Sequence, residues 1–379
     1  MNTRSKKTQR TFSVLARSVM TRLAAHPPWK QFVVIAVALP VVVVAAVLAF
    51  AWPAARVAPR DLPVGVAGTN SSAQQLITGL NTAQPGAFDF RLYGGEPAAR
   101  HAIEERDVYG AFVVTPHGVT ALVATAASPA VAQLIGTAAE SVGARETEQR
   151  ATGGPTVTAH VVDVVPLSRQ DPKGTVLSAA LLPLTICSIL IAAGIGIVVK
   201  FRPAWRQIVA LVSVSAAGGA GVYVIAQTWL GALPDDAGAT WASLAGTILA
   251  ISSATAGLIA LAGPAGLAVA AVLLVFIGNP FSGVTSAPES LPNAVNHVGQ
   301  WLPPGAGAGL IRSATYFGGN GAGGHVTVLI TWIVLGFAAV VAGHHAPIRF
   351  AASSTPVARD LSVTHELADA DERRSHAAV

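Results

Sequence analysis

Long stretches without a single charge constrain this chain more than any other feature. Gln31–Trp52, QFVVIAVALPVVVVAAVLAFAW, holds no Asp, Glu, Lys or Arg. As a helix it is long enough to cross the roughly 30 Å of a bilayer's hydrocarbon core. Similar runs, charge-free in their interiors, lie at Val176–Val199, Trp205–Trp229, Trp241–Ala262, Pro264–Asn279 and Val326–His345. Over the 379 residues only 11% are charged and 52% are hydrophobic, with a mean hydropathy of +0.55. Soluble domains carry about 25% charged residues. The pattern predicts a helical, polytopic membrane protein of about six spans.

Charge placement orients it. Arg4, Lys6, Lys7, Arg10, Arg17, Arg22 and Lys30 precede the first run with no acid among them. Basic residues favour the cytoplasmic side, so the N-terminus is expected there. A cleaved signal peptide is the rival reading, but a signal's apolar core is about 7–15 residues, shorter than this run. Lys200, Arg202 and Arg206 mark the turn between the second and third spans as cytoplasmic. Six spans return the C-terminus to that side. The net charge of +5 and pI near 9.7 are accounted for by these flanking residues, which excludes nucleic acid as the expected partner. Lone Cys187 lies within an apolar run and supplies neither a disulfide nor a thiolate metal site within one chain.

Between the first two spans the pattern changes. LPVGVAG (Leu62–Gly68) reads as a strand. SSAQQLITGLNTA follows as a helix with Ser71 or Ser72 as N-cap. FDFRLY is a strand, and EPAARHAIEERD a helix with proline near its start. YGAFVVT and VTALVAT form a hairpin around Pro116-His117-Gly118; a longer helix and a strand in TVTAHVVDVVPL close the unit. Gly110, at a strand start, has a structural role by default. Ser128 in this unit and Thr240 at a span end are expected to face outside water, and Ser353 the cytoplasm.

The expected fold class is therefore an α-helical polytopic membrane protein with an inserted extracytoplasmic α/β domain. Residues 1–30 are a basic amphipathic cytoplasmic segment, 31–52 the first transmembrane helix, and 53–175 the extracytoplasmic domain. Residues 176–346 form a five-helix membrane domain with an external re-entrant segment at 288–317, and 347–379 a disordered cytoplasmic tail. The re-entrant reading rests on Glu289, His297 and Arg312, too polar for an ordinary span, beside apolar residues and the helix-breaking pair Pro303-Pro304. Trp301 is expected at the interface.

One terminal span, a large external insertion and then a block of spans resembles the layout of ABC-2-type membrane proteins, including the YhgE/Pip-like branch. Glu96, Ala99, Ile103, Tyr109, Gly110, Ala111 and Pro116 fit that family's helix–strand passage. Leu302, Pro303, Pro304, Arg312, Tyr316 and Phe317 fit its segment before the last span. The resemblance covers most of residues 31–346. It implies a permease that pairs as a homodimer or heterodimer, contacts membrane lipids, borrows a separate ATPase subunit and exports a lipid-like or envelope-related small molecule. Trp301, Pro303, Pro304 and Arg312 would then form a gate, and Lys200, Arg202 and Arg206 a cytoplasmic coupling or lipid contact.

Several chemistries lack an anchor. No phosphate-cradling G-x-x-x-x-G-K-[ST], no H-E-x-x-H and no G-x-S-x-G occurs. His344 and His345 are neighbours that point apart on a helix, so no metal is expected. No cofactor and no enzymatic activity are expected. The span interiors hold no charge of the kind ion-coupled carriers use. The alternative to transport is an envelope receptor or scaffold whose external domain binds a partner. KFRPAWR is very short for an ATPase-coupling turn, though Phe12, Leu15, Ala16, Val19 and Leu23 make the basic N-terminus an amphipathic candidate for that role or for lying on anionic lipid. Usage rich in Ala, Gly, Val and Arg and poor in Lys points to a high-GC bacterium and its cell membrane.

Overall fold

A computed structural model of the chain describes residues 29–115, 118–149, 159–198, 203–233 and 236–345. The basic segment before Trp29, the Pro116-His117 turn, Lys200, Arg202 and the tail after His345 lie outside the described residues.

Among the described residues five helices are long and apolar enough to cross a membrane. They are α1 (Trp29–Ala55), α5 (Thr175–Val198), α6 (Ala204–Val224, continued to Trp229 by a π-helical turn), α7 (Ala237–Ala262) and α11 (Gly323–His345). The expected fifth span, Pro264–Asn279, falls short of that length. It is a shorter apolar helix, Pro264–Gly278, here α8, whose second half is wound as a π-helix. Its 15 positions reach only about 22 Å as an α-helix. Pro264 opens it, and Pro280, which has no N–H to donate, closes it. Asn279 secures that end, its Nδ2 donating to Leu274 O at 3.0 Å.

At the centre stands α7, which packs against α5, α6, α8, α11 and the short helix α10 (Pro303–Tyr316). Its polar residues are hydroxyls, and they stay satisfied without charge. Thr247, Ser253 and Thr255 each donate to a carbonyl three or four residues earlier at 2.8–3.2 Å. Small residues bring the helices together. A Cβ on Gly219 would lie 2.7 Å from Ala245 N, and one on Gly257 2.8 Å from Gly336 O. α1 is mostly exposed and touches the rest near its end, where Phe50 meets Phe276 edge-to-face at 6.5 Å.

The α/β domain carries a five-stranded sheet in the order β2-β1-β3-β4-β5. The strands are β1 (Leu62–Ala67), β2 (Phe88–Tyr93), β3 (Gly110–Thr115), β4 (Gly118–Val123) and β5 (His160–Asp163). β1 runs parallel to β2 and β3, β3 and β4 form the antiparallel hairpin, and β5 is parallel to β4. Alternation along the strands feeds two cores. Leu62, Val64, Val66 and Phe112 meet α2 (Asn70–Ala83) and α4 (Pro129–Gln149) on one face. Ala111, Val113 and Leu122 meet α3 (Glu96–Glu104) on the other. The second core also takes in Phe317, from just beyond α10.

Two local readings change. The N-cap of α2 is Thr69, not Ser71 or Ser72, with its Oγ1 accepting from Ser72 N at 3.4 Å. Among the described residues the last strand spans only His160–Asp163. Gly110 sits where a Cβ would lie 2.5 Å from Leu122 O and 2.8 Å from Ile135 Cδ1, so the hairpin and α4 leave room for hydrogen alone.

Candidate functional site at the domain junction

Leu302 turns the chain between α9 (Asn293–Trp301) and α10. Pro303 and Pro304 occupy the first positions of α10, where a missing N–H costs nothing and the fixed φ suits a helix start. The turn leaves carbonyls at the end of α9 in need of donors. Trp332 Nε1 supplies one, donating to Trp301 O at 2.8 Å. α10 then climbs beside α7 in the opposite direction. Ala306 packs with Ala250, halfway along α7, and Thr315 Oγ1 lies 3.3 Å from Thr240 Oγ1 near the start of α7. The pair α9–α10 thus dips about half the length of the bundle and returns to the end where the α/β domain sits. Most of α10 is buried, so its broken backbone is enclosed by protein. Trp301, expected at an interface, stands exposed at the bottom of this hairpin, beside a residue about 14 Å along α11.

The hairpin's upper end is pinned to the α/β domain. α3 finishes with Asp107 N donating to Ala102 O at 2.9 Å and Arg106 N to Ile103 O at 3.1 Å. That pattern needs a left-handed residue at Arg106, whose φ is +65°, a position usually given to glycine. The Arg106 side chain compensates. Its Nη1 donates to Gly309 O at 3.2 Å and to Ser313 Oγ, and the guanidinium lies 5.2 Å from the Phe317 ring centre. Burial holds the Arg106 pKa below its ordinary value, an effect partly offset by Tyr109 and Glu289.

Three residues on, Tyr109 donates its hydroxyl to Glu289 Oε2 at 2.6 Å. Asn320 Nδ2 donates to Glu104 O at 3.1 Å and to Glu105 Oε1 at 3.3 Å. A cavity of about 390 Å³ lies at this junction, lined by Arg106, Tyr109, Glu289, His297, Trp301 and His325 among others. It is open enough to admit solvent and polar enough to hold a small polar molecule.

Burial pushes the Tyr109 pKa well above its ordinary value, and the Glu289 charge and hydrogen bond push it further. The sign follows directly. Both folded and unfolded states keep the proton below the unfolded value of about 10. As pH climbs past that value the unfolded state loses it first, so stability falls until the folded tyrosine ionises. Melting temperatures between pH 9 and 11.5 should drop more steeply for the wild type than for Tyr109→Phe. Equal slopes would mean that Tyr109 is not buried against Glu289.

The structure gathers Trp301, Pro303, Pro304 and Arg312 into one hairpin. Arg312 is buried on α10, with Nη2 donating to Val284 O at 3.1 Å. Arg206 is elsewhere. Ser168 Oγ donates to Gly231 O at 2.7 Å, which puts the far end of α6 at the domain; Arg206 therefore lies at the opposite end, over Trp205 at 5.3 Å. Sequence reasoning missed Arg106, Ser313 and Asn320. The available signal was a basic residue closing a helix where glycine is usual. Among the described residues no group of three His, Cys, Asp or Glu side chains comes together to hold a metal. No family model, no curated protein and no solved structure matches the chain.

Proposed function

We propose that this chain is the membrane subunit of an exporter. It acts as an ABC-2-like permease that pairs with a second copy or a related chain, is driven by a separate ATPase, and moves a lipid-like or envelope-related small molecule out of a bacterial cell. The α/β domain faces outside and, with short α8 counted as the return crossing between α7 and α9, both chain termini face the cytoplasm. One observation carries the reading. A proline-started hairpin reaches halfway into the helical bundle and is fastened at its outer end to the α/β domain through Arg106, Tyr109 and Asn320. A plain anchor has no use for a broken helix pair whose second helix is buried in the bundle, whereas a gate needs an element that can move as a unit.

The test is gentle solubilisation of the tagged chain, with identification of what accompanies it, alongside an efflux assay. A nucleotide-hydrolysing subunit should copurify in comparable amount. Pro303-Pro304→Ala-Ala should abolish export at normal membrane abundance. No accompanying ATPase, together with full activity of that variant, would contradict the reading.

A second reading, a receptor or scaffold, is favoured by the cavity of about 390 Å³ at the junction, which could seat a ligand of the external domain. Under it the proline variant would change only folded amounts.

A further inference from the structure

At the domain junction one buried cation has no acid in contact with it. Arg312 is 7% exposed, and among the described residues its five N–H donors make one hydrogen bond, to Val284 O at 3.1 Å. The ion pairs among the described residues are Arg91–Asp89 and Arg100–Glu96, both on the surface of the α/β domain. The acids near Arg312 are committed elsewhere. Glu289 accepts from Tyr109 at 2.6 Å, and Asp171 accepts from Thr175 N, Thr175 Oγ1 and Val176 N at 2.8–3.0 Å, capping α5. Half-buried Arg106 is a second cation close enough to repel Arg312, and Glu289 attracts Arg312 without touching it. A buried charge with no counter-ion in contact is costly, and a bound anion offsets that cost.

Room for one exists. Arg312 lines a second cavity, of about 270 Å³, whose wall also includes Asp171, Lys173, Thr175, Ser178 and Tyr316; the Asp171 carboxylate oxygens accept from Thr175 N and Val176 N. Leu167, Leu177 and Leu233 supply apolar surface beside these polar groups. The cavity lies where α5 begins and where the α/β domain meets the helices.

We propose that this cavity binds a phosphate group, with Arg312 as its buried donor and exposed Lys173 at its rim. A guanidinium offers planar, paired donors to phosphate oxygens. The leucines suit the glycerol and first methylenes of a phospholipid, and free inorganic phosphate shares the same head chemistry. The site does not depend on the transport reading and would serve a scaffold equally.

The test uses the purified full-length chain in uncharged detergent, with unfolding followed by tryptophan fluorescence. Three additives are titrated: phosphatidylglycerol, inorganic phosphate, and diacylglycerol, which lacks the phosphate. A saturable rise in melting temperature with phosphatidylglycerol alone identifies a lipid site, and one with inorganic phosphate also identifies a free-phosphate site. Arg312→Gln should weaken the effect about tenfold or more. Lys173→Glu changes an exposed residue, so it should fold normally and still weaken binding several-fold. No saturable shift in the wild type overturns the proposal. So does an equal response to diacylglycerol, or wild-type affinity in Lys173→Glu.

Discussion

Replacing Gly336 with isoleucine should remove the folded protein from the membrane. A Cβ there would lie 2.4 Å from Ser253 C and 2.5 Å from Ser253 O, so the obstacle is backbone and no rotamer change relieves it. The same seam continues one heptad on, where a Cβ on Gly343 would lie 2.6 Å from Ala260 O. α7 and α11 touch along this line, and prising them apart also disturbs α10, which packs on both. Overpacking commonly costs about 1–3 kcal/mol, and more where backbones must separate. Leu335→Ala, on the exposed side of the same helix, is the control. Size-exclusion profiles of the detergent-solubilised variants should show a sharp peak for Leu335→Ala and none for Gly336→Ile. A normal peak and melting curve for Gly336→Ile would mean that the two helices do not approach this closely.

Arg106→Gly should act with opposite signs in two settings. In the full chain it removes the bonds to Gly309 O and Ser313 Oγ and the contact with Phe317. Hydrogen bonds to charged groups contribute about 1.5–3 kcal/mol, so the domain should loosen from the hairpin and the melting temperature should fall. In residues 56–173 alone the arginine side chain has no hairpin to bind, while its left-handed backbone still costs about 1 kcal/mol or more. There glycine should raise the melting temperature. A fall in both settings would show that Arg106 supports the α/β domain itself and does not fasten it.

Much of this architecture was legible because it is local. Charge-free runs marked the long helices, and the strand-like runs YGAFVVT and VTALVAT on either side of Pro116-His117-Gly118 marked the hairpin of the sheet. Pro303-Pro304 between two short apolar stretches marked the hairpin. What depended on partners distant in sequence was not legible. Nothing about Tyr109 announces Glu289, 180 residues away. Arg106 escaped notice because it breaks a local preference for glycine, and the compensation comes from α10. Ser128 and Thr240, read as water-facing, are fully buried. Ser128 Oγ accepts from Val131 N at 3.3 Å at the start of α4, and Thr240 Oγ1 meets Thr315. The shortness of α8 was legible in the run Pro264–Asn279; its boundary with α7, through Gly263 and Pro264, was not, because the apolar run continues across it.

The central claim is that the α/β domain is clamped to the α9–α10 hairpin. Asn320 and Glu105 bridge the two, with Nδ2 to Oε1 at 3.3 Å. Cysteines at these two positions, in a Cys187→Ser background, should be joined in native membranes by a short bis-thiol reagent within one chain, giving a mobility shift on reducing-sensitive gels. Arg106→Gly in the same background should lower the yield. Both cysteines reacting singly with a monofunctional thiol reagent, yet never being joined, would contradict the clamp.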